Sequence, residues 1–317
     1  MSGAEVIERR PVAASPGAAR RLGRPRRVGR SMIPYALLAP ALIVYALFSV
    51  YPIYRQCDIS FYNWHIFPGE SNPFVGFSNY AQIFRDPVIR TAALNTLLFL
   101  VVTVPIQMAI GLFSAAMLTD KLRGSALWRI VVYVPVVTSW VVVSYVFAYV
   151  FNASRGGLMN SLLSVFEGHP VQIDWLAHTW TGNAVIWLLS IWKGFGWSFI
   201  IFLAALDGVP RELVESARVD GASEPRVWRY VIIPSLRPAI TFVTVLLVIG
   251  ATTVFAQVYL LTLGGPFNST QVLFSWAYQQ AFTNFAFGYG AAIASLLAVV
   301  LFGFSFVEIK LLRQQEA

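Results

Sequence analysis

An all-α polytopic membrane protein is the fold class this sequence predicts, and three observations predict it. Of its 317 residues, 57% are hydrophobic and only 12% are charged, with a mean hydropathy of +0.65; a soluble domain of this size needs a far more charged surface. Six apolar runs have the length of a bilayer-crossing helix, roughly 20 residues: 33–54, 92–118, 126–151, 184–206, 238–263 and 290–312. Lysine and arginine fall unevenly between these runs, as they do when a topology is set by positive charge on the cytoplasmic side.

The chain opens on a Pro/Gly/Ala-rich segment, 1–31, which carries Arg9, Arg10, Arg20, Arg21, Arg24, Arg26, Arg27 and Arg30. Much of the net charge of +8 lies there. The segment reads as a disordered, topogenic cytoplasmic tail that can contact anionic lipid, rather than as a nucleic-acid arm. The first run exceeds the ~7–15 residues of a signal-peptide core and no small-x-small cleavage site follows it, so it is expected to remain as the first span. Cys57 is the single cysteine, which excludes an intrachain disulfide framework and a cysteine-based zinc cluster.

The first connection, 57–90, holds Phe61, Tyr62, Trp64, Phe67, Phe74, Phe77 and Tyr80 among Pro68-Gly69 and Asn72-Pro73 turn signals. Two readings stay open, a folded cap resting on helix ends and a docking surface for an extracytoplasmic partner. The connection 152–182 contains His169 and His178; with His65 these are the only histidines, and their scatter offers no metal-ligand spacing.

Pro105, Pro135, Gly194 and Gly196 interrupt the second, third and fourth runs. A bilayer tolerates such breakers where neighbouring helices or a water-lined cavity satisfy the freed backbone, although small residues also serve close helix packing, as do Gly111, Ser114, Ala115, Ala291, Ala292 and Ser295. Lys193 stands inside the fourth run beside Trp192, Phe195 and Trp197. An ionisable group in a span marks a functional site unless it snorkels to the interface. In the fifth run, Gly250, Thr253 and Gln257 recur at spacings of three and four and share a face, either for interhelical hydrogen bonds or for a polar path.

Between the fourth and fifth runs lies a polar insert, 211–238, in which Arg211, Glu212, Glu215, Arg218, Asp220, Glu224, Arg226, Arg229 and Arg237 would each be costly in hydrocarbon. Pro210 suits a first helical position, Gly221 a left-handed helix stop and Ser223 the cap of a second helix that Pro234 would end. Within the first helix, Glu215 and Arg218 stand at a favourable i, i+3 spacing. The product is a helix-turn-helix elbow. Its acidic residues face an anionic membrane poorly, so a protein partner fits better than a lipid-resting connector. Eighteen lysines and arginines, those of the tail and insert with Lys121, Arg123, Arg129, Lys310 and Arg313, fall on one side, against Arg55, Arg85, Arg90 and Arg155 on the other. Both termini and the elbow are therefore expected in the cytoplasm.

Glu215-Ser216-Ala217, then Asp220-Gly221-Ala222-Ser223, and finally Ile233-Pro234 with Pro238 resemble the Glu-Ala-Ala…Gly signature of bacterial ABC importer permeases, in the carbohydrate-uptake branch related to the maltose permeases. The departures are Ser216 for alanine, Arg226 for glutamine, Trp228 for phenylalanine and Ile233 for leucine. The similarity extends over roughly 33–312, through the 75–80 stretch VGFSNY, Asn95-Thr96, Leu122-Arg123-Gly124, Pro135 and the 261–266 stretch LTLGGP with Ser269-Thr270.

The resemblance implies one of two permease subunits, paired with a homologous second permease, two ATP-hydrolysing subunits and an extracytoplasmic solute-binding protein in the bacterial inner membrane. It makes the elbow a coupling helix for the ATPase, with Glu215, Ala217, Asp220, Gly221, Ala222, Ser223, Trp228 and Pro234 at the contact. ATP and Mg would sit on the partner, in keeping with the lack of a G-x-x-x-x-G-K-[ST] loop here. It also implies substrate contacts near Ser190, Gly194 and Trp197 and near Ala251 and Val254, although the last two are polar in the maltose permease. With Lys193, Gly250, Thr253 and Gln257 these form the candidate substrate path. The alternatives left open are the same architecture carrying a glycerol-phosphate-type or other polar solute, and a channel or secondary transporter that needs no ATPase. An integral-membrane enzyme would need a catalytic constellation, and the few histidines and intramembrane carboxylates supply none.

Overall fold

A computed structural model describes residues 33–66, 71–119, 125–154 and 156–313. The arginine-rich tail, Phe67, Pro68-Gly69, the Lys121 to Gly124 stretch and Arg155 lie outside the described residues. Among those described there is no strand, only an isolated antiparallel bridge between Tyr62 and Phe74. The chain divides into two compact units, Met1–Pro52 and Ile53–Ala317. The first holds α1 (Ile33–Tyr45) and a π turn, Ala46–Val50, and α2 (Tyr51–Ile59) begins at its end.

The second unit contains α3 (Ser78–Arg85), α4 (Pro87–Thr119), α5 (Ser125–Val137), α6 (Trp140–Val150), α7 (Leu158–Glu167) and α8 (Thr179–Asp207). After these come α9 (Arg211–Val219), α10 (Glu224–Val227), a π turn Trp228–Ile232, α11 (Ile233–Ser235) and α12 (Arg237–Thr252). The chain then forms α13 (Ala256–Leu261), α14 (Leu273–Tyr278), a π turn Gln279–Thr283 and α15 (Phe287–Arg313). Leu37–Ile59, Pro87–Leu118, Thr179–Asp207 and Phe287–Phe306 are long and apolar enough to cross a membrane. Two bent pairs, Leu127–Val137 with Trp140–Val150 at 96° and Glu224–Ser235 with Arg237–Thr252 at 67°, bring the number to as many as six.

The predicted interruptions fall differently from the breakers in the sequence. Pro105 lies inside an uninterrupted α4, and Gly194 and Gly196 inside an uninterrupted α8. Only Pro135 sits beside a break, at Thr138-Ser139. The fifth run breaks where no proline stands, at Thr253–Phe255, with Phe255 at φ −144°, ψ −61°. The glycines of α8 serve close approach instead: a Cβ at Gly196 would come within 2.5 Å of Val136 Cγ2 and 2.8 Å of the Val132 carbonyl, and one at Gly111 of α4 within 2.5 Å of Ser198 Cβ.

Two buried clusters organise the spans. One joins Phe99, Val104, Val143, Ile186, Leu189, Val248, Val254 and Val258, from α4, α6, α8, α12, the break and α13. The other gathers Ala115, Leu118, Phe199, Phe202 and Leu206 around Val227, Ile232, Leu236 and Val243. The second cluster seats the polar insert on the ends of α4 and α8, so the elbow cannot shift without disturbing the packing of those spans.

The first connection folds as a cap. Asn79 donates to the Ser60 carbonyl at 2.8 Å and the Tyr62 carbonyl at 3.0 Å, and Phe61, Phe77 and Tyr80 pack ring against ring. Asp86, which the sequence did not single out, accepts from Trp276 Nε1 at 2.9 Å and Tyr289 Oη at 2.7 Å while holding the Val88 amide of α4. Asn160 does the same for the connection 152–182, donating to the carbonyls of Asn152, Ala153 and Ile173 and accepting from Trp175 Nε1. Asn95 donates to the Ser269 and Gln271 carbonyls at 2.7 and 2.9 Å, and Thr96 accepts from the Leu273 amide. These bonds bring together two stretches that are far apart in the sequence.

Candidate functional site

Two places carry chemistry, the elbow and a cavity among the spans. At the elbow, Pro210 is the residue before the helix rather than its first member, at φ −59°, ψ 122°. The helix runs Arg211–Val219 and stops at Gly221, whose φ of +80° is the left-handed conformation expected of it. The Ala222 amide closes onto the Ala217 carbonyl at 3.0 Å, the wider of the two bonds of a Schellman stop.

Ser223 occupies the capping position of α10 without a side-chain cap. Pro225 removes one of the amides it would meet, and the Arg226 amide bonds the Ser223 carbonyl at 2.8 Å. The second helix does not end at Pro234. A π turn at Trp228–Ile232 intervenes, and the helix reaches Ser235, one residue further. Arg218 forks onto Glu224, Nε to Oε1 at 2.8 Å and Nη2 to Oε2 at 3.2 Å, which ties the two helices together across Gly221.

Around this turn the surface is polar with exposed apolar points. Glu215, Asp220, Gly221, Ser223 and Glu224 are exposed and Ala217, Ala222, Trp228 and Pro234 half-buried, while Val219 is 88% and Tyr230 69% exposed. A groove of about 530 Å³ runs between Leu213, Ala217, Asp220, Tyr230 and Pro234. Val219 thus stands as an exposed apolar point beside a tight, otherwise polar turn.

The second place is a cavity of about 360 Å³. It is assembled from Phe99, Thr103 and Gln107 of α4, Trp140 of α6, Ser190, Gly194 and Trp197 of α8, Leu246, Leu247, Gly250 and Ala251 of α12, and Gln257 of α13. In α8 the i, i+4, i+7 positions Ser190, Gly194 and Trp197 share the cavity face. Gly194 leaves room for the Gln107 side-chain amide, which lies over it and would have to shift for a Cβ. The Thr103 hydroxyl is fully buried with no hydrogen-bond partner among the described residues. A buried hydroxyl left unpaired costs about 1–3 kcal/mol.

Of the predicted path residues, Ser190, Gly194, Trp197, Gly250, Ala251 and Gln257 line this cavity. Thr253 is exposed, its hydroxyl bonded to the Ile249 carbonyl at 2.9 Å, because the helix breaks there instead of carrying the Gly250 face onward. Val254 is buried in the apolar cluster. Phe99, Thr103, Gln107 and Trp140 were not found from the sequence. Thr103 and Gln107, four residues apart, share a helix face, the one signal that could have exposed them.

Lys193 neither lines the cavity nor snorkels. Only 3% exposed, it donates from Nζ to the carbonyls of Pro135 at 2.7 Å, Val136 at 3.2 Å and Thr138 at 2.7 Å. Nζ also lies 4.8 Å from the Trp140 ring centroid. The carbonyls at a helix C-terminus lack partners of their own. Hydrogen bonds to a charged group contribute about 1.5–3 kcal/mol each, so three match the several kcal/mol that burying a cation costs.

Against this geometry stand the comparisons with known proteins. A family model described as "Binding-protein-dependent transport system inner membrane component" matches residues 107–309. A probable ABC transporter permease protein, YurN of Bacillus subtilis, is 33% identical over 88% of this chain and 95% of its own. The lactose transport system permease protein LacF of Rhizobium radiobacter is also 33% identical, over 89% and 94%. Among solved structures, a chain of a bacterial alginate ABC transporter, crystallised in complex with an alginate pentasaccharide-bound periplasmic protein, superposes with a TM-score of 0.75 at 22% identity. That match covers 88% of this chain and 93% of the other, and it speaks for the fold.

Proposed function

The chain belongs to the binding-protein-dependent transport system inner membrane component family and is a multi-pass permease subunit of an ABC importer, and from that premise we propose that it conducts a sugar or related uncharged solute through the α4–α6–α8–α12–α13 cavity under the drive of a separate ATPase. Six spans place both termini in the cytoplasm, with 1–31 a basic tail at the lipid surface and 32–317 the transmembrane domain. The elbow around Gly221 seats in a cleft of an ATPase subunit that carries ATP and Mg. A homologous second permease, a second ATPase and an extracytoplasmic binding protein complete the assembly. Closure of the ATPases pushes the elbow, and the shared packing of Val227, Ile232 and Leu236 with Phe199, Phe202 and Leu206 transmits the movement to the spans.

The observation that carries the coupling reading is the elbow itself, a polar helical turn with Val219 left exposed and its root buried among the spans. The substrate class rests on the lining. Phe99, Trp140 and Trp197 supply ring faces and Gln107, Ser190 and Gln257 supply neutral hydrogen-bonding groups, a chemistry suited to the apolar faces and hydroxyls of a sugar. None of the lining residues is ionisable, so a phosphate ester would meet no charged partner from this wall. Co-purification tests the reading. Expressed with its genomic neighbours, the chain is expected to emerge with an ATPase subunit; its emergence without one would refute the coupling role.

A further inference from the structure

We infer that Lys193 is a positioning residue, fixing the corner between α5 and α6 and thereby holding the Trp140 ring in the cavity wall. A break in a span leaves unpaired carbonyls, and in hydrocarbon these must be satisfied by protein or by water drawn into the gap. Ser139, extended at φ −67°, ψ 138°, starts α6 afresh and accepts the Val141 amide at 3.3 Å. That serves the new helix and does nothing for the carbonyls of the old one. Among the described residues, the side chains that reach those carbonyls are Thr138, whose hydroxyl donates to Pro135 at 2.6 Å, and Lys193.

An ammonium has three donors, and here they converge on carbonyls of residues 135, 136 and 138, on both sides of Val137, the last residue of α5. One side chain from α8 thus holds the end of α5 and the first residue of the break. Three residues on, Gly196 lets α5 approach within contact of the α8 backbone, so Lys193 and Gly196 clamp α5 from one face while Ser190, Gly194 and Trp197 present the cavity from the next. The ring facing the same Nζ at 4.8 Å belongs to Trp140, the one residue of α6 in the cavity lining. A cation over a tryptophan face is attracted by about 0.5–2 kcal/mol, which orients the ring as well as the corner. Lys193 therefore acts on the solute path through Trp140 without touching it, and the corner travels with α8 as one body instead of hinging at Pro135.

The inference rests on the cavity being the transport path, but its test reads geometry alone. In the full-length chain in lipid nanodiscs, with Cys57→Ser removing the single native thiol, Gly250→Cys places a thiol in the cavity wall, where a Cβ meets nothing within 4 Å. The probe is the rate at which 2-(trimethylammonium)ethyl methanethiosulfonate modifies it.

Lys193→Met is expected to change that rate by about fivefold or more, the size that coupling between contacting residues reaches. Trp140→Ala should produce a comparable change, and the double variant no more than the larger single. Lys193→Arg keeps the charge but spreads its donors over a plane that cannot converge on three carbonyls, so an intermediate rate is expected; this variant decides the matter should Lys193→Met fail to accumulate in the membrane. Equal rates for Lys193→Met and the parent, or for Lys193→Arg and the parent where Lys193→Met does not accumulate, would overturn the inference, as would multiplicative effects of the Lys193→Met and Trp140→Ala changes. A chain that labels as expected but supports no uptake when assembled with its partner subunits and binding protein in sealed liposomes would sink the transport reading and leave the positioning role standing.

Discussion

The elbow and the cavity differ in how they are made. The elbow is one contiguous stretch in which each feature follows from a neighbouring residue: a proline before the first turn, a glycine at φ +80° after the last, a proline near the end. The cavity draws on five helices whose lining residues span positions 99 to 257, and its shape comes from two breaks and from glycines that let side chains of other helices lie against α8. A local device takes its shape from residues within its own stretch. A composite one answers to residues that never face its interior, Lys193 among them.

Substitutions can sharpen or break that contrast, and Gly221→Val has the largest expected effect. Within this chain open space surrounds the position, so the change meets no clash with its own neighbours. A β-branched residue resists positive φ, at a cost of at least about 1–2 kcal/mol. Uptake by the assembled transporter should fall at least about tenfold, 1.4 kcal/mol being a factor of ten, while membrane insertion is unchanged; normal uptake would show that the turn is not needed. Trp197→Ala comes next. Removing one ring face from the cavity wall should raise the KM for uptake by about 2- to 10-fold, the range that aromatic packing covers, with the ATPase still bound. An unchanged KM would remove Trp197 from the path. The smallest effect belongs to Arg218→Ala, because an exposed ion pair contributes about 0–1 kcal/mol. Uptake should stay within about fivefold of the parent, and a collapse to the level of Gly221→Val would make the Arg218–Glu224 fork part of the coupling contact.

The same contrast explains what the sequence made legible. Apolar run lengths exposed the spans, and Pro210 and Gly221 delimited the first helix of the elbow to within a residue. The second helix ran past Pro234 because a π turn, invisible to i, i+4 spacing, intervenes. In the cavity, Ser190, Gly194 and Trp197 were accessible only through the resemblance to the maltose permeases. Phe99 and Trp140 were not, since nothing in a uniformly apolar span says which face meets a gap. Thr253 was misplaced on the face of Gly250 because the break at Thr253–Phe255 carries no proline or glycine to announce it. Lys193 was recognised as unusual, but its partners are backbone carbonyls of a distant corner, which no side-chain pattern encodes.

The central claim is that the elbow transmits work between the spans and an ATPase. It is tested most directly by cysteine cross-linking from Val219→Cys, at a position 88% exposed on the first helix of the elbow, in a Cys57→Ser chain expressed with its genomic neighbours. A benzophenone maleimide attached to this cysteine should, on irradiation, insert into a C–H bond of the ATPase subunit and join the two chains, with a yield that changes when ATP is bound. Absence of any adduct with the ATPase, from a variant that still transports, would contradict the account.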